Sequence, residues 1–319
     1  MIKILANDGI HPDGKLLLEE AGYTIETTKV AQEDLHKVLP EYDAIIVRSA
    51  TKVRQDLIDA CPNLKVIARG GVGLDNVDAE YARSKGIQVY NTPNASSRAV
   101  AELAFAHMFS LARMLNQSNR EMPTKGDTDF DKLKKTFSAG IQLRNRTLGI
   151  IGFGRIGQEA ARIGMGLGMK VLACDLVVNE ADIDINVFKS EDISLSVRVQ
   201  TSTWDEVIRK SDFITLHVPG GAKALIGEAE FAKMKDGVMV INTARGGTID
   251  EDALLAALNS GKVGGAGLDV FMNEPTPRKE LLEHPRISKS PHIGGSTAEA
   301  QSYIGMELAE LIISYFGEQ

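Results

Sequence analysis

Three polar residue types in the second half of the sequence could together carry out proton and anion chemistry. Arg245 follows the apolar run 238–242, Glu274 follows a later strand pattern, and His292 precedes the last helical pattern. A guanidinium can bind a carboxylate in a fork, a carboxylate can hold an imidazole, and an imidazole moves protons near neutral pH. Singly, each has an ordinary alternative: a surface arginine, an exposed acid before proline and a structural histidine. Together they form a coherent set.

A glycine-rich turn between a strand pattern and a helix pattern predicts a dinucleotide site. Gly152 allows a tight turn, Gly154 lets the backbone approach a diphosphate, and Gly157 lets helix and strand pack closely. A second strand pattern ends in Asp175, 18 residues after Gly157, which suits an acid that binds the adenosine ribose. The alternative is a tight glycine turn that binds nothing, which leaves the strand, helix and acid unexplained.

Alternating strand and helix patterns must position these residues. Residues 2–90 predict a first parallel sheet, followed by a long helix at about 98–115. The polar stretch 117–144 predicts an irregular surface connection, and a second strand–helix series begins at residue 147. Within the poorly organised stretch after Asp175, residues 193–199 alternate and indicate an extra strand or hairpin. The fold class is therefore α/β, with two doubly wound parallel sheets.

Composition narrows the function classes. The chain has 319 residues, 43% hydrophobic and 25% charged, with a net charge of −7. This acidic balance argues against nucleic acid or an anionic membrane as a partner. Cys61 and Cys174 form no metal-like pattern, so we expect no metal and a reduced, cytoplasmic setting. The sequence contains no apolar run of membrane-spanning length and starts without a signal-peptide core.

Further polar residues follow strand patterns, where ligands bind in open α/β sheets. They are Arg48, the loop Gly71-Val72-Gly73, His217, the Thr243-Ala244-Arg245 segment and Asp269. The remaining histidines do not belong to this set of polar residues and are interpreted as structural or surface residues: His11, His36, His107 and His284.

The sequence resembles the D-isomer-specific 2-hydroxyacid dehydrogenases and, within that family, the branch that acts on D-3-phosphoglycerate. The resemblance runs through almost the whole chain. It rests on VRSATKV (47–53), GLDNVD (73–78), NTPN (91–94), GFGRIG (152–157), NTARGG (242–247), LDVF (268–271) followed by Glu274-Pro275, and PHIGGST (291–297). The last three, in this order and spacing, are highly specific to the family.

The resemblance implies two domains with the active site in a cleft between them. A flavodoxin-like substrate domain would comprise residues 1–97 plus 291–319, and a Rossmann NAD-binding domain residues 98–290. Family members usually dimerise through the nucleotide domain, with the helix near 98–115 involved, so we expect a homodimer or higher homo-oligomer. A C-terminal regulatory domain should be absent.

The resemblance also implies a role for each candidate residue. Arg245 would bind the substrate, Glu274 would be the acid partner and His292 the proton carrier. The substrate set would add Arg48, Gly71, Val72 and Gly73 to Arg245 and His292. The NAD set would be Gly152, Gly154, Arg155, Ile156, Gly157, Asp175, His217, Val218, Pro219, Thr243, Ala244, Asp269, Gly294 and Gly295.

The implied activity is NAD-dependent oxidation of D-3-phosphoglycerate, at the start of serine biosynthesis. Two departures bear on the substrate: Val72 replaces the threonine of some relatives, and Ala50 replaces a basic residue. Lys52 and Arg54 remain candidates for binding the phosphate. The alternatives are a glyoxylate or hydroxypyruvate reductase or D-lactate dehydrogenase of the same family, and an NAD(H)-sensing, corepressor-like binding protein.

Overall fold

The chain forms two compact units, each built on a parallel sheet. The structure, a computed structural model, describes residues 1–186 and 194–317. The first unit comprises Met1–Ser97 with Gly295–Gln319, and the second comprises Arg98–Gly294. The predicted α/β class with two parallel sheets is confirmed.

The first unit is a five-stranded sheet of order β2-β1-β3-β4-β5, all parallel. Its three central strands are largely buried, as expected of a parallel sheet covered by helices, whereas the two edge strands are more exposed. Its elements are β1 (Lys3–Ala6), α1 (Pro12–Glu20), β2 (Thr24–Glu26), α2 (Leu35–Val38), β3 (Ala44–Val47), α3 (Gln55–Asp59), β4 (Val66–Arg69), α4 (Ala79–Ser84) and β5 (Gln88–Asn91), with 3₁₀ turns at Gln32–Asp34 and Leu39–Glu41.

The second unit contains a six-stranded parallel sheet of order β13-β12-β11-β10-β6-β7 and a separate hairpin, β8-β9. The last helix of the chain, α13, belongs to the first unit. In chain order, the elements of the second unit are α5 (Ser97–Ala112), α6 (Leu115–Lys125), α7 (Phe130–Thr136), a 3₁₀ turn at Phe137–Ala139, β6 (Thr147–Ile151), α8 (Arg155–Gly166), β7 (Lys170–Cys174), β8 (Glu180–Asn186), β9 (Ser194–Gln200), α9 (Trp204–Lys210), β10 (Phe213–Leu216), α10 (Glu228–Lys233), β11 (Val238–Asn242), α11 (Glu251–Ser260), β12 (Val263–Leu268), α12 (Lys279–Glu283) and β13 (Ile287–Lys289). They are followed in the chain by α13 (Ala298–Gly317) of the first unit.

Local sequence signals explain where several helices begin and end. The Asp250 carboxylate caps α11 by accepting from Ala253 N at 2.9 Å, and Gly261 ends that helix at φ 84°. Thr203 caps α9 by accepting from Glu206 N at 3.3 Å. These caps fix the lengths of the helices that cross between strands of the second sheet.

The prediction of an irregular connection at 117–144 is wrong, because α6 and α7 occupy much of it. Both helices are short and mostly polar, so the apolar periodicity that indicates a helix is weak there. The predicted hairpin is confirmed as antiparallel β8-β9, which pairs Ile183 with Val197. Ile193, at the start of the predicted alternation, lies outside the described residues.

The second domain boundary lies four residues later than predicted, at Gly294 instead of residue 290. The reason is hydrogen bonding to Asp269 in the second unit. The main chain of His292 donates to the Asp269 carbonyl at 2.8 Å, and Ile293 N and Gly294 N donate to its carboxylate. These bonds attach the segment to the second sheet.

Gly157 determines how closely α8 approaches the end of β6. A Cβ at this position would overlap the carbonyl oxygen of Gly152, which is backbone and cannot rotate away. A Cβ on Gly166, the last residue of α8, would have no described atom within 4 Å. The two glycines therefore differ in packing although they share one helix.

We predict that Gly157→Ala destabilises the protein and that Gly166→Ala does not. The first substitution overpacks the helix–strand contact, at a cost of about 1–3 kcal/mol, whereas the second replaces a poor helix former in open space. Thermal unfolding of both variants, followed by calorimetry, measures the difference. Equal melting temperatures for Gly157→Ala and the parent chain would contradict this account of the packing.

Candidate active site

The candidate residues of the second unit gather at one edge of its sheet. All six strands are parallel, so their carboxyl ends meet at the same edge. Each end leads into a predicted site segment. In sheet order from β7 to β13 these segments are Asp175, Gly152–Gly157, His217–Pro219, Thr243–Arg245, Asp269 and His292–Gly294.

The glycine turn leaves room for an anion at the start of α8. Gly152 has φ 91°, and a Cβ there would overlap the carbonyl oxygen of His217, so the turn packs tightly against the end of β10. Gly154 is the N-cap and has no side chain to accept from the first-turn amides. A Cβ at Gly154 would have no described atom within 4 Å. The amides of Arg155 and Ile156 therefore face a space that suits a diphosphate.

Asp175 holds the glycine turn in place. Its carboxylate accepts from Phe153 N at 2.6 Å, Val177 N at 2.8 Å and Val178 N at 3.0 Å. Burial works against ionisation of Asp175, but these backbone donors outweigh it and lower its pKa. The acid is thus a fixed anion beside the turn, followed by the fully exposed Leu176.

Two further predicted residues carry polar atoms that suit a ligand. His217 Nε2 lies 3.1 Å from Thr215 Oγ1, whereas buried His217 Nδ1 has no partner among the described residues. Burial lowers the pKa of His217 to about 3, so its ring is neutral at pH 7. The buried hydroxyl of Thr243 also has no described partner. Because buried polar atoms are normally paired, both are suited to hydrogen bonds from a bound cofactor.

Asp269 organises the segment that carries His292. It is 1% exposed, and its carboxylate accepts from Ser290 Oγ at 2.5 Å, Ile293 N at 2.9 Å and Gly294 N at 2.8 Å. His292, between these contacts, has φ 55°, in the left-handed region. This structural role of Asp269 was not anticipated from the sequence, which pointed only to a contact with the cofactor.

His292 and Glu274 form a hydrogen-bonded pair. His292 Nδ1 lies 2.7 Å from Glu274 Oε2, and Glu274 Oε1 accepts from Phe271 N at 2.9 Å. The side chains are 49% and 34% exposed. Because Nδ1 donates to the carboxylate, Nε2 of the neutral ring is the nitrogen that can accept a proton.

The backbone of Arg245 is tightly held at the end of β11. Its carbonyl accepts from Asn242 Nδ2 at 2.9 Å and from Thr248 Oγ1 at 2.8 Å, and its Nη1 donates to the Ala244 carbonyl at 2.7 Å. The next residue, Gly246, packs so closely on the Phe271 carbonyl that a Cβ would overlap it. The loop of Arg245 thus lies against the loop that leads to Glu274. Asn242 and Thr248 were not predicted as site residues. Asn242 is the first residue of the NTARGG motif and Thr248 follows its last, and these positions are the signal that could have indicated them.

The predicted substrate residues of the first unit lie in two braced loops. Asp8 Oδ2 accepts from Arg48 N at 2.8 Å, and Asn76 Nδ2 donates to the Arg48 carbonyl at 2.7 Å. In the glycine loop, Gly71 N donates to Thr92 Oγ1 at 2.7 Å, with Gly71 at φ 135°. Both loops are therefore fixed by side chains from neighbouring strands and loops.

Arg54, a candidate for binding a phosphate, has another role. Its Nη1 binds Asp78 at 2.8 Å and its Nη2 donates to the Asp75 carbonyl at 2.9 Å. The guanidinium joins two loops of the first unit, which leaves Arg48 and Lys52 as the basic candidates.

Metal-binding clusters and membrane-spanning helices are both absent from the described residues. Within residues 1–186 and 194–317, no group of three or more histidine, cysteine, aspartate or glutamate side chains could hold a metal ion. None of the helices described there is both long and apolar enough to span a membrane.

The second unit matches a known family. The family profile described as "D-isomer specific 2-hydroxyacid dehydrogenase, NAD binding domain" matches residues 105–294, more than half of the chain. The open space at Gly154 and the buried polar atoms of His217 and Thr243, which have no described partner, fit a bound NAD.

The similarity to known proteins extends over nearly the whole chain. The chain is 42% identical to hydroxypyruvate reductase of Thermotoga maritima, over 99% of this chain and 98% of that protein. It is 40% identical to D-3-phosphoglycerate dehydrogenase of Rattus norvegicus over 96% of this chain, but spans 55% of the length of that relative. A solved glyoxylate reductase from Paecilomyes thermophila is 30% identical, with a TM-score of 0.82 over 98% of this chain and 94% of that one. The chain therefore belongs to the D-isomer-specific 2-hydroxyacid dehydrogenases, a family of NAD-dependent oxidoreductases.

Proposed function

We propose that the chain oxidises D-3-phosphoglycerate to 3-phosphohydroxypyruvate with NAD, the first step of serine biosynthesis. The observation that carries the proposal is the 2.7 Å contact between His292 Nδ1 and Glu274 Oε2 at the carboxyl edge of the NAD-binding sheet. The braced loop that contains Arg48 and Lys52 supports a phosphorylated acid. Relatives named D-3-phosphoglycerate dehydrogenase, from a mammal and an archaeon, support the same substrate.

The residues divide the chemistry between them. Bound NAD supplies the acceptor for the hydride that leaves C2 of the substrate. His292 Nε2 accepts the proton of the C2 hydroxyl, and Glu274 orients the ring and stabilises the imidazolium that forms. Arg245 binds the substrate carboxylate through its guanidinium fork. In the reverse direction, the same His292 returns the proton.

Hydroxypyruvate reduction is the second candidate. It is favoured by the relative of matching length, the hydroxypyruvate reductase of Thermotoga maritima. It is also favoured by the engagement of Arg54 with Asp78, which removes one basic group from the proposed phosphate site. This candidate uses the same proton chemistry on an unphosphorylated acid.

The choice of substrate is tested by turnover of a matched set. We expect kcat/KM for D-3-phosphoglycerate to exceed that for D-glycerate and D-lactate, and Arg48→Met to lower only the first, by about tenfold or more, since a charge-assisted phosphate contact is lost. Lys37→Met is the matched control, because it removes an exposed cation of α2 that pairs with Asp34.

Each other outcome is decisive for this proposal. A preference for D-glycerate would replace it with the second candidate, and a preference for D-lactate would replace it with a D-lactate dehydrogenase activity. If none of these acids were turned over although NADH bound tightly, the chain would be a dinucleotide-sensing protein.

The proton carrier is tested by His292→Ala. Losing a general base costs about 10²–10⁴ in rate, so kcat should fall by that factor, whereas the dissociation constant of NADH should change little. His36→Ala removes an exposed histidine from α2 and serves as the control. Near-parental turnover in His292→Ala would overturn the assignment.

Cofactor choice is tested at Asp175. Its fixed negative charge should repel a 2′-phosphate, and Leu176, Val177 and Val178 offer no basic group to bind one. We expect kcat/KM to favour NAD over NADP by about 100-fold, roughly 2.7 kcal/mol. Asp175→Ser should narrow this ratio, whereas Asp127→Ser, at an exposed position, should not. Equal use of both cofactors by the parent chain would contradict the proposal.

A further inference from the structure

Buried His107 on α5 lies at the start of a series of hydrogen bonds that leads through Ser290 to the buried carboxylate of Asp269. The His107 side chain is 5% exposed. From the sequence it was interpreted only as a structural or surface residue. Its Nδ1 lies 2.8 Å from Ser288 Oγ, and its Nε2 lies 3.0 Å from Ser290 Oγ. Ser290 Oγ in turn lies 2.5 Å from Asp269 Oδ1.

The Asp269 carboxylate, at the end of this series of hydrogen bonds, fixes the donor and acceptor in each of them. The Asp269 carboxylate can only accept, so the Ser290 hydroxyl donates to it. The Ser290 oxygen then accepts from Nε2–H of His107, and Nδ1 of His107 accepts from the Ser288 hydroxyl. Burial lowers the pKa of His107, against a smaller opposing effect of Asp269, so the ring is neutral as this arrangement requires.

We propose that His107 is a positioning residue for His292: acting through Ser290, it fixes the Asp269 carboxylate that holds the backbone of residues 292–294. The inference rests on the proposed role of His292 as proton carrier. His107 is distant in sequence from His292, and the orientation of that proton carrier depends on it.

The strand beneath His107 is adapted to the imidazole. A Cβ on Gly267 of β12 would lie 2.6 Å from His107 Cβ and 3.1 Å from its Cγ. Gly267 lies in β12 and precedes Asp269, the residue that follows this strand, by two positions. The missing side chain therefore makes the space in which the ring reaches Ser288 and Ser290.

An ordinary buried histidine, paired only for stability, would give different results on substitution. His107→Met introduces an apolar side chain of similar size and removes both hydrogen bonds, whereas His107→Gln keeps a donor near the position of Nε2. Ser290→Ala removes the hydroxyl that links His107 to Asp269. Ser211→Ala removes a serine hydroxyl elsewhere in the second unit, fully buried and bonded to the Val207 carbonyl, and is the control.

Turnover is measured with NAD and whichever of D-3-phosphoglycerate, D-glycerate and D-lactate the parent chain oxidises fastest. We expect kcat to fall about 10- to 100-fold in His107→Met and in Ser290→Ala, because small misplacements of a reacting group cost that much, with the KM for NAD little changed. His107→Gln should recover most of the rate. The double variant His107→Met/Ser290→Ala should be no slower than either single variant, since the two residues act through the same series of hydrogen bonds.

Nuclear magnetic resonance of the ¹⁵N-labelled imidazoles gives a test that needs no turnover. We expect a neutral Nε2–H tautomer for His107. The Nδ1–H signal of His292, from its bond to Glu274, should shift or broaden in His107→Met and Ser290→Ala but not in Ser211→Ala.

The inference would be overturned by full kcat in His107→Met, by additive losses in the double variant, or by an unchanged His292 signal. If the parent chain oxidised none of the acids, only the proposed function would fail. The His292 signal would then still decide whether His107 positions that residue.

Discussion

The burial of one carboxylate constrains the carboxyl edge of the second sheet. Asp269 is almost completely removed from water, which is costly for an ion unless its oxygens are hydrogen-bonded. The donors come from Ser290, Ile293 and Gly294, so the chain must wrap around the acid immediately after β13. His292 acquires its left-handed backbone within this wrap. The orientation of an exposed imidazole is thus set by a charge that is itself inaccessible.

Much of the fold and site could be predicted because their signals are local. The glycine turn, Asp175 and Glu274 each follow a recognisable strand pattern, His292 precedes a helical pattern, and parallel strands bring their carboxyl ends to one edge. The two sheets follow from the alternation of strand and helix patterns. In such a sheet, the order of the strands turns separate short motifs into neighbours.

The remaining features depend on contacts between distant parts of the sequence. His107 meets Ser288 181 residues later, and no local pattern distinguishes it from a core histidine. Arg54 had the charge expected of a phosphate ligand, but its geometry directs it to Asp78. The helices α6 and α7 lack a strong apolar face and depend on their tertiary surroundings.

Asp175 combines two tasks that protein engineers would want to separate. The carboxylate whose charge would discriminate between cofactors is also the acceptor that ties Phe153 to the end of β7. Its lowered pKa means that ionisation stabilises the folded chain at neutral pH, a contribution lost as the pH falls through that value. A redesign towards NADP must therefore provide another acceptor for the Phe153 amide. Without one, a gain in the new specificity would come with a looser glycine turn.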